Sequence, residues 1–367
     1  MSETRNKPLL FEKYQNLEST IPWIKLAPLR TPVKQLKNLE QKVGINSLWV
    51  KCDNLTSPLY GSNKVRQLEF MLGDALEKGS KEVVTTGGIG SHFSIANAIF
   101  CNELKLKPIS ILMDQSVTPQ VRDNLLLNLH FKNEIYYGRR YVPEGENTYF
   151  TTKGEAISLG TLGLLNGVLE LKNQINNGEM PEPDYIFVAC GSSSTASGIT
   201  IGANITDLKP EIHFVQTSLI KAPMINTLKK LIKRTWKLLI KKGASIPPES
   251  YKYLFPEPLH FGGEYGTPTL ECLETMKLIK ETENIILEPT YTAKTFAALL
   301  DFIRRNKRKI KNKTILFWNT YNSRDFSDIL AQVDYHELPQ NLHWVFENPL
   351  PDFGIKDYLK YMDIHKK

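Results

Sequence analysis

The stretch Val83-Val-Thr-Thr-Gly-Gly-Ile-Gly-Ser-His-Phe-Ser-Ile-Ala-Asn-Ala-Ile-Phe-Cys-Asn-Glu-Leu104 decides the fold class. Its first four residues are β-branched, which suits a pleated strand, and the strand stops at Gly87-Gly88. From Ser94 to Leu104 the apolar residues return at helical spacing. A strand running through a glycine turn into a helix is the unit from which parallel sheets are built. The unit recurs. Leu48-Trp-Val50 precedes a helix from about Lys64 to Lys78, and Pro108–Met113 precedes one from Pro119 to Asn128. Further strands are expected at Ile135–Tyr137, Tyr185–Ala189, Ile212–Gln216 and Thr314–Trp318. Helices near Thr195–Asn204, Thr267–Thr282 and Thr292–Arg304 alternate with them. The pattern predicts an α/β fold of open, mostly parallel sheets flanked by helices, with a ligand cleft beyond the strand C-termini.

A chain of 367 residues has room for two domains or one bilobed body. Its longest apolar run, Tyr185–Cys190, spans six residues, far short of the roughly 20 that a membrane helix needs. Met1–Pro8 lacks the apolar core of a signal peptide. Cys52, Cys101, Cys190 and Cys272 are scattered, so neither a disulfide framework nor a metal site is expected. A cytoplasmic protein without a membrane partner is the expectation. The net charge of +7 is localised: between Leu219 and Ser250 eight basic residues meet one acid, Glu249, and the rest of the chain sums to zero. A nucleic-acid partner is therefore not expected. This segment breaks the strand–helix rhythm and reads as an insertion over about 219–263. Its core, residues 227–242, puts Leu228, Leu231, Ile232, Leu238 and Leu239 on one helical stripe and basic residues on the other face. A solvated amphipathic helix docked on the body is the first expectation, and contact with an anionic surface the alternative.

Phosphate-loop, nucleophile-elbow and zinc-protease motifs are absent from the sequence, and Gly88-Ile-Gly90 lacks the third glycine of a dinucleotide loop. Three strand-to-helix junctions remain, rich in small and hydroxyl residues whose amides suit anions. In Gly61-Ser-Asn-Lys64-Val-Arg66, Asn63 can cap the helix and put Lys64 in its first turn. The positive end of the helix would there lower the lysine pKa, as a nucleophile or base requires. The second junction is Thr85–His92. The third, Gly191-Ser-Ser-Ser-Thr195, offers four consecutive hydroxyls, matched to phosphate or simply to N-capping.

Together these segments resemble the pyridoxal-phosphate enzymes of fold type II, the tryptophan synthase β-like fold, and in particular the branch of aminocyclopropane-carboxylate deaminase and D-cysteine desulfhydrase. The resemblance runs from about Thr31 to Leu330. Lys51-Cys-Asp-Asn-Leu-Thr56 is similar to K-R-D-D-x-T, and Gly61–Arg66 to G-G-N-K-x-R, whose lysine holds the cofactor as a Schiff base. Gly87–His92 is similar to G-G-I-Q-S-N, and Gly191–Thr195 to the phosphate loop G-S-G-G-T. Gly263-Glu-Tyr265-Gly266 and Pro289-Thr-Tyr291-Thr292-Ala-Lys294 resemble two tyrosine motifs that line the active site.

The resemblance implies pyridoxal 5'-phosphate as cofactor and a small amino acid as substrate. Lys64, Ser91, Tyr265 and Tyr291 would be the catalytic residues. Lys64, Asn63, His92, Gly191, Ser192, Ser193, Ser194, Thr195, Thr292 and Thr320 would hold the cofactor, with Thr292 facing the ring nitrogen. Lys64 would remove the α-proton, Ser91 would contact the substrate carboxylate, and the tyrosines would stand near the group leaving the β-carbon. The product would hydrolyse to a keto acid and ammonia. A homodimer is expected, with a larger domain of residues 1–66 and 164–367 and a smaller one of 67–163. Small hydroxyl residues at Thr292 and Thr320 favour β-substituted D-amino acids such as D-cysteine over aminocyclopropane-carboxylate. Ring opening, racemisation, β-replacement and a non-catalytic cofactor-binding role are the alternatives. Departures from the pattern are His92 for asparagine, Ser193 and Ser194 for glycines, Gln67 for lysine, and Asn319-Thr-Tyr-Asn322 for H-T-G-G. Tyr321 is expected to narrow the pocket.

Overall fold

The structure, a computed structural model, describes residues 7–28, 30–138, 145–217, 224–257 and 262–351. Residues 1–6, and 219–223 with 258–261 of the expected insertion, including Lys221, lie outside the described residues. The strands are β1 (Val33–Gln35), β2 (Leu48–Lys51), β3 (Glu82–Gly88), β4 (Lys107–Met113) and β5 (Glu134–Tyr137). They continue as β6 (Thr148–Phe150), β7 (Tyr185–Cys190), β8 (Glu211–Gln216), β9 (Leu254–Glu257) and β10 (Ile315–Trp318). The first helices are α1 (Leu9–Lys13), α2 (Lys37–Val43), α3 (Asn63–Glu77), α4 (His92–Glu103) and α5 (Pro119–His130). After them come α6 (Ala156–Asn176), α7 (Ser194–Thr206), α8 (Met224–Lys241), α9 (Leu270–Glu283) and α10 (Thr292–Ile310).

Two sheets result. The larger has the order β1-β2-β10-β7-β8-β9, all parallel except β1, which pairs antiparallel with β2. The smaller, β5-β4-β3-β6, is parallel throughout. Parallel strands covered on both faces need apolar residues at every position, and all of β7 and β10 is buried. Alternate residues of β7 serve opposite faces. Ile186 and Val188 pack with Leu165 and Val168 of α6 and Ile199 of α7, whereas Phe187 packs with Ile279 of α9 and Phe296 of α10.

Two sequence expectations are corrected here. The segment expected as an insertion continues the strand–helix rhythm: α8 buries the apolar stripe against the body, and β9 then pairs parallel with β8 as the sheet's edge. Pro256 within β9 hid the strand, because proline enters sheets mainly at edges. The basic helix is docked, as expected, with Arg234 donating to Ser158 Oγ (2.9 Å) and to the Gly154 carbonyl (2.7 Å).

The second correction is α6, which the sequence reading passed over although it is 21 residues long. Gly160, Gly163 and Gly167 interrupt its pattern and lower its intrinsic helix propensity. Tertiary packing requires them. A Cβ on Gly163 would lie 1.9 Å from the Arg66 carbonyl oxygen, so the glycine lets α6 press directly on the backbone of α3.

Beneath that contact lies a buried ionic network. Arg66 donates to Asp53 (2.7 and 2.9 Å) and to Glu170 (3.1 Å), and Lys51 pairs with Glu170 and donates to the Thr31 carbonyl (2.7 Å). Trp318 Nε1 adds a bond to Asp53 Oδ2 (2.7 Å). Two positive and two negative side chains cancel. The network ties β2, β10 and α6 to the first turns of α3, and so fixes where Lys64 stands.

Candidate active site

The C-terminal ends of β3, β7 and β10 and the N-terminal ends of α3, α4 and α7 converge on one cavity of about 470 Å³. That is within the range of small-molecule sites. Twelve of the thirteen candidate residues line it: Lys64, Asn63, Ser91, His92, Gly191, Ser192, Ser193, Ser194, Thr195, Tyr265, Tyr291 and Thr320. Thr292 does not. Its hydroxyl and amide are engaged with Glu288, the amide donating to Glu288 Oε1 at 2.7 Å.

Lys64 lies in the first turn of α3, although the cap is Ser62 rather than Asn63. Ser62 Oγ accepts from the Lys64 amide at 3.1 Å. That frees the Asn63 side chain, which accepts from Lys64 Nζ (3.1 Å) and donates to Thr195 Oγ1 (2.8 Å), bridging the lysine and the serine-rich loop. Burial pushes the Lys64 ammonium down to about 8, with Glu288 pulling the other way. The lowered pKa expected from the sequence therefore has desolvation as its leading cause.

At the third junction the hydroxyls are not consumed by capping. Ser193 is the N-cap of α7 but makes no side-chain cap bond, so no capping side chain claims the first-turn amides. Ser193 adopts φ +70°, the conformation that glycine supplies without cost, and its hydroxyl turns to Met224 Sδ (3.2 Å). The Thr161 hydroxyl donates to the Ile157 carbonyl (2.8 Å) and so accepts from Ser194 Oγ (3.4 Å). Both side chains thus point back into the body. The backbone keeps a glycine-like course, and the two added side chains leave the cradle open. Gly191 is required: a Cβ there would meet the Tyr291 ring at 2.9 Å.

Ser91 caps α4 by accepting from the Ser94 amide (3.2 Å), which leaves its hydroxyl proton free to donate. The Tyr265 and Tyr291 hydroxyls are hydrogen-bonded to each other, with ring planes at 64°. Burial raises the pKa of both, so both phenols keep their protons. Tyr321 is not among the cavity-lining residues. Its hydroxyl donates to Gln120 (2.9 Å) and its ring meets the edge of His92, so the expected narrowing is corrected. Asn319 and Asn322 brace the loop: Asn322 Oδ1 accepts from the Gly61 amide at 2.9 Å, and Asn319 Oδ1 from the Tyr321 amide at 3.2 Å.

Sequence reasoning missed Glu288, a buried carboxylate that accepts from the amides of Thr290, Tyr291 and Thr292 and so fixes the start of α10. It stands immediately before the quoted Pro289 motif, where its meaning depended on the fold of the turn.

These donors fit pyridoxal phosphate: unclaimed amides at a helix N-terminus for the phosphate, and an amine of lowered pKa across the cavity for the aldehyde carbon. An open parallel α/β fold carrying such a pair defines a class, the enzymes that work through this cofactor. The chain belongs to the pyridoxal-phosphate dependent enzyme family, whose model matches residues 24–320. A Pyrococcus furiosus protein provisionally named 1-aminocyclopropane-1-carboxylate deaminase is 30% identical over 326 residues, covering 84% of this chain and 94% of its own length. The D-cysteine desulfhydrase of Klebsiella pneumoniae is 26% identical over 330 residues, covering 83% and 95%. The crystal structure of an ACC deaminase homologue superposes with a TM-score of 0.69 at 25% identity, covering 90% of this chain and 99% of that one. No helix among the described residues is long and apolar enough to cross a membrane.

Proposed function

We propose that the protein is a lyase or deaminase that removes the α-proton and a β-substituent from a small amino acid, with D-cysteine-like substrates preferred. The observation that carries this reading is the placement of Lys64, with its pKa near 8, in the same cavity as the Tyr265–Tyr291 pair. When bound, pyridoxal phosphate supplies the electron sink that makes the α-proton removable. Lys64 Nζ is neutral in a useful fraction near neutral pH and takes that proton. The Ser91 hydroxyl donates to the substrate carboxylate. Of the two phenolic protons, one is committed within the tyrosine pair, and the other is free to pass to the departing group. The amides at the start of α7 hold the phosphate, and Asn63 keeps the loop and Lys64 in register. Keto acid, ammonia and, from cysteine, sulfide are the products.

Opening of the cyclopropane ring is the second reading, favoured by the 30% identity to the Pyrococcus furiosus relative. Against it stand the small hydroxyl residues Thr292 and Thr320, of which Thr320 lines the cavity. Purified holoenzyme assayed for sulfide and keto acid on D-cysteine, L-cysteine and aminocyclopropane-carboxylate separates the two. Faster turnover of the cyclopropane substrate overturns the preference, and no keto acid from any of the three overturns the elimination reading. The proposal includes a homodimer in the cytoplasm, with residues 67–163 as a domain distinct from 1–66 and 164–367. Sedimentation tests the dimer, and limited proteolysis tests the boundaries.

A further inference from the structure

His92 stands where the resembling family carries asparagine, and its surroundings decide which ring nitrogen holds the proton. Tyr321 donates its hydroxyl proton to Gln120 Oε1 at 2.9 Å, which leaves the Gln120 amide nitrogen to donate to Asn124 Oδ1 at 3.2 Å. The Asn124 amide nitrogen therefore faces the other way. There it donates to the Gly90 carbonyl at 2.8 Å, an acceptor that cannot act otherwise, and reaches His92 Nδ1 at 3.5 Å. From a second side the buried Tyr60 hydroxyl approaches the same nitrogen at 3.0 Å. Burial raises the Tyr60 pKa well above 10, so this phenol keeps its proton and can donate it. Two donors converge on Nδ1, which must then be the bare, accepting nitrogen. The proton resides on Nε2, which meets no protein partner among the described residues, in a side chain that lines the cavity beside Lys64.

We propose that Tyr60 and Asn124 lock His92 as a neutral imidazole with its proton on Nε2, and that this N–H holds an anionic oxygen in the cleft. Burial and then Lys64 push the His92 pKa down to about 3, which keeps the ring neutral at working pH. A second cation beside Lys64 is thereby avoided while a directional donor is retained. The oxygen belongs either to the cofactor ring or to the substrate carboxylate, and both present the same acceptor chemistry. The inference rests on the reading that the cleft holds pyridoxal phosphate, but the tautomer does not.

The tautomer is read by nitrogen NMR on protein labelled with 15N-histidine, in the absence and presence of cofactor. The wild type is expected to show Nε2 protonated and Nδ1 bare in both states, and Tyr60→Phe to populate the other tautomer. A wild-type proton on Nδ1, or an even mixture, overturns the lock whether or not the protein turns over any substrate. The role is read with His92→Phe and with His92→Asn, which restores an N–H donor. If the oxygen is the cofactor's, His92→Phe weakens cofactor affinity about tenfold or more and displaces the pH midpoint of the visible band. If it is the substrate's, the spectrum is unchanged but binding of propionate, used as a carboxylate probe, weakens by a similar factor. His92→Asn recovers the affected property in either case. If neither cofactor nor propionate binding changes in His92→Phe, the donor role is wrong.

Discussion

Replacing Glu170 by glutamine removes one charge from the ionic network while keeping its shape. In the wild type Lys51 and Arg66 face Asp53 and Glu170, all four are buried, and the charges cancel. Burial alone would raise the Glu170 carboxyl, but Arg66 and Lys51 more than reverse this and move it from 4.5 down to about 2. That displacement corresponds to about 3 kcal/mol of stability at neutral pH. An independent route gives a similar size, since removing one partner of a buried ion pair costs about 3–5 kcal/mol. Because the folded carboxyl is depressed, its contribution is complete above about pH 4.5 and is lost as pH falls toward 2.

Urea unfolding of the cofactor-free protein at a series of pH values measures both size and sign. Glu170→Gln should lie about 3–5 kcal/mol below wild type at pH 7, and the gap should close progressively below about pH 4.5. A Lys51→Met, Glu170→Gln double variant restores neutrality around Arg66 and Asp53 and should recover at least half of the loss. Cofactor retention should fall in the single variant, because Arg66 sits two residues after Lys64 on α3 and loses a partner. A single variant within about 1 kcal/mol of wild type at pH 7, or a gap that persists unchanged to pH 3, would refute the electrostatic reasoning.

Three further outcomes are expected. Lys64→Ala should abolish both the visible band and covalent capture of the cofactor by borohydride, while peptide mapping of wild type places the label on Lys64 and on no other lysine. Ser192→Asp should lower cofactor retention on dialysis about tenfold or more, because Ser192 lines the cavity and is exposed to it, and a carboxylate beside a phosphate is strongly repelled; unchanged retention removes the phosphate loop from the proposal. Gly163→Ala should destabilise by about 1–3 kcal/mol, since its Cβ would fall 1.9 Å from the Arg66 carbonyl and force α3 and α6 apart; thermal unfolding indistinguishable from wild type counts against so close a contact.

What the sequence carries is set by the range over which each signal acts. Val83–Leu104 is legible because the β-branched run, the glycine turn and the helical period all operate within about one element, and β3 and α4 appear within two residues of the expected positions. Helix α6 was illegible because its three glycines make local sense only as breakers, whereas at Gly163 the actual reason is the Arg66 backbone, 97 positions away in the chain. Strand β9 was hidden by Pro256, a residue that only an edge position excuses. The site shows the same division. Its junctions could be found one at a time, because each is a local strand-to-helix turn, and the parallel sheets then gather those turns at one edge. Side-chain orientation is a different matter. Whether Thr292 faces the cavity or Glu288, and whether Ser193 fills the phosphate cradle or turns to Met224, depends on neighbours that approach from other elements. The same holds for His92, whose identity is visible in the sequence but whose proton is placed by Tyr60 and Asn124, each 32 residues away on opposite sides. A motif can therefore name the residue that reaches a site, while the hydrogen that residue offers is decided by contacts that no motif contains.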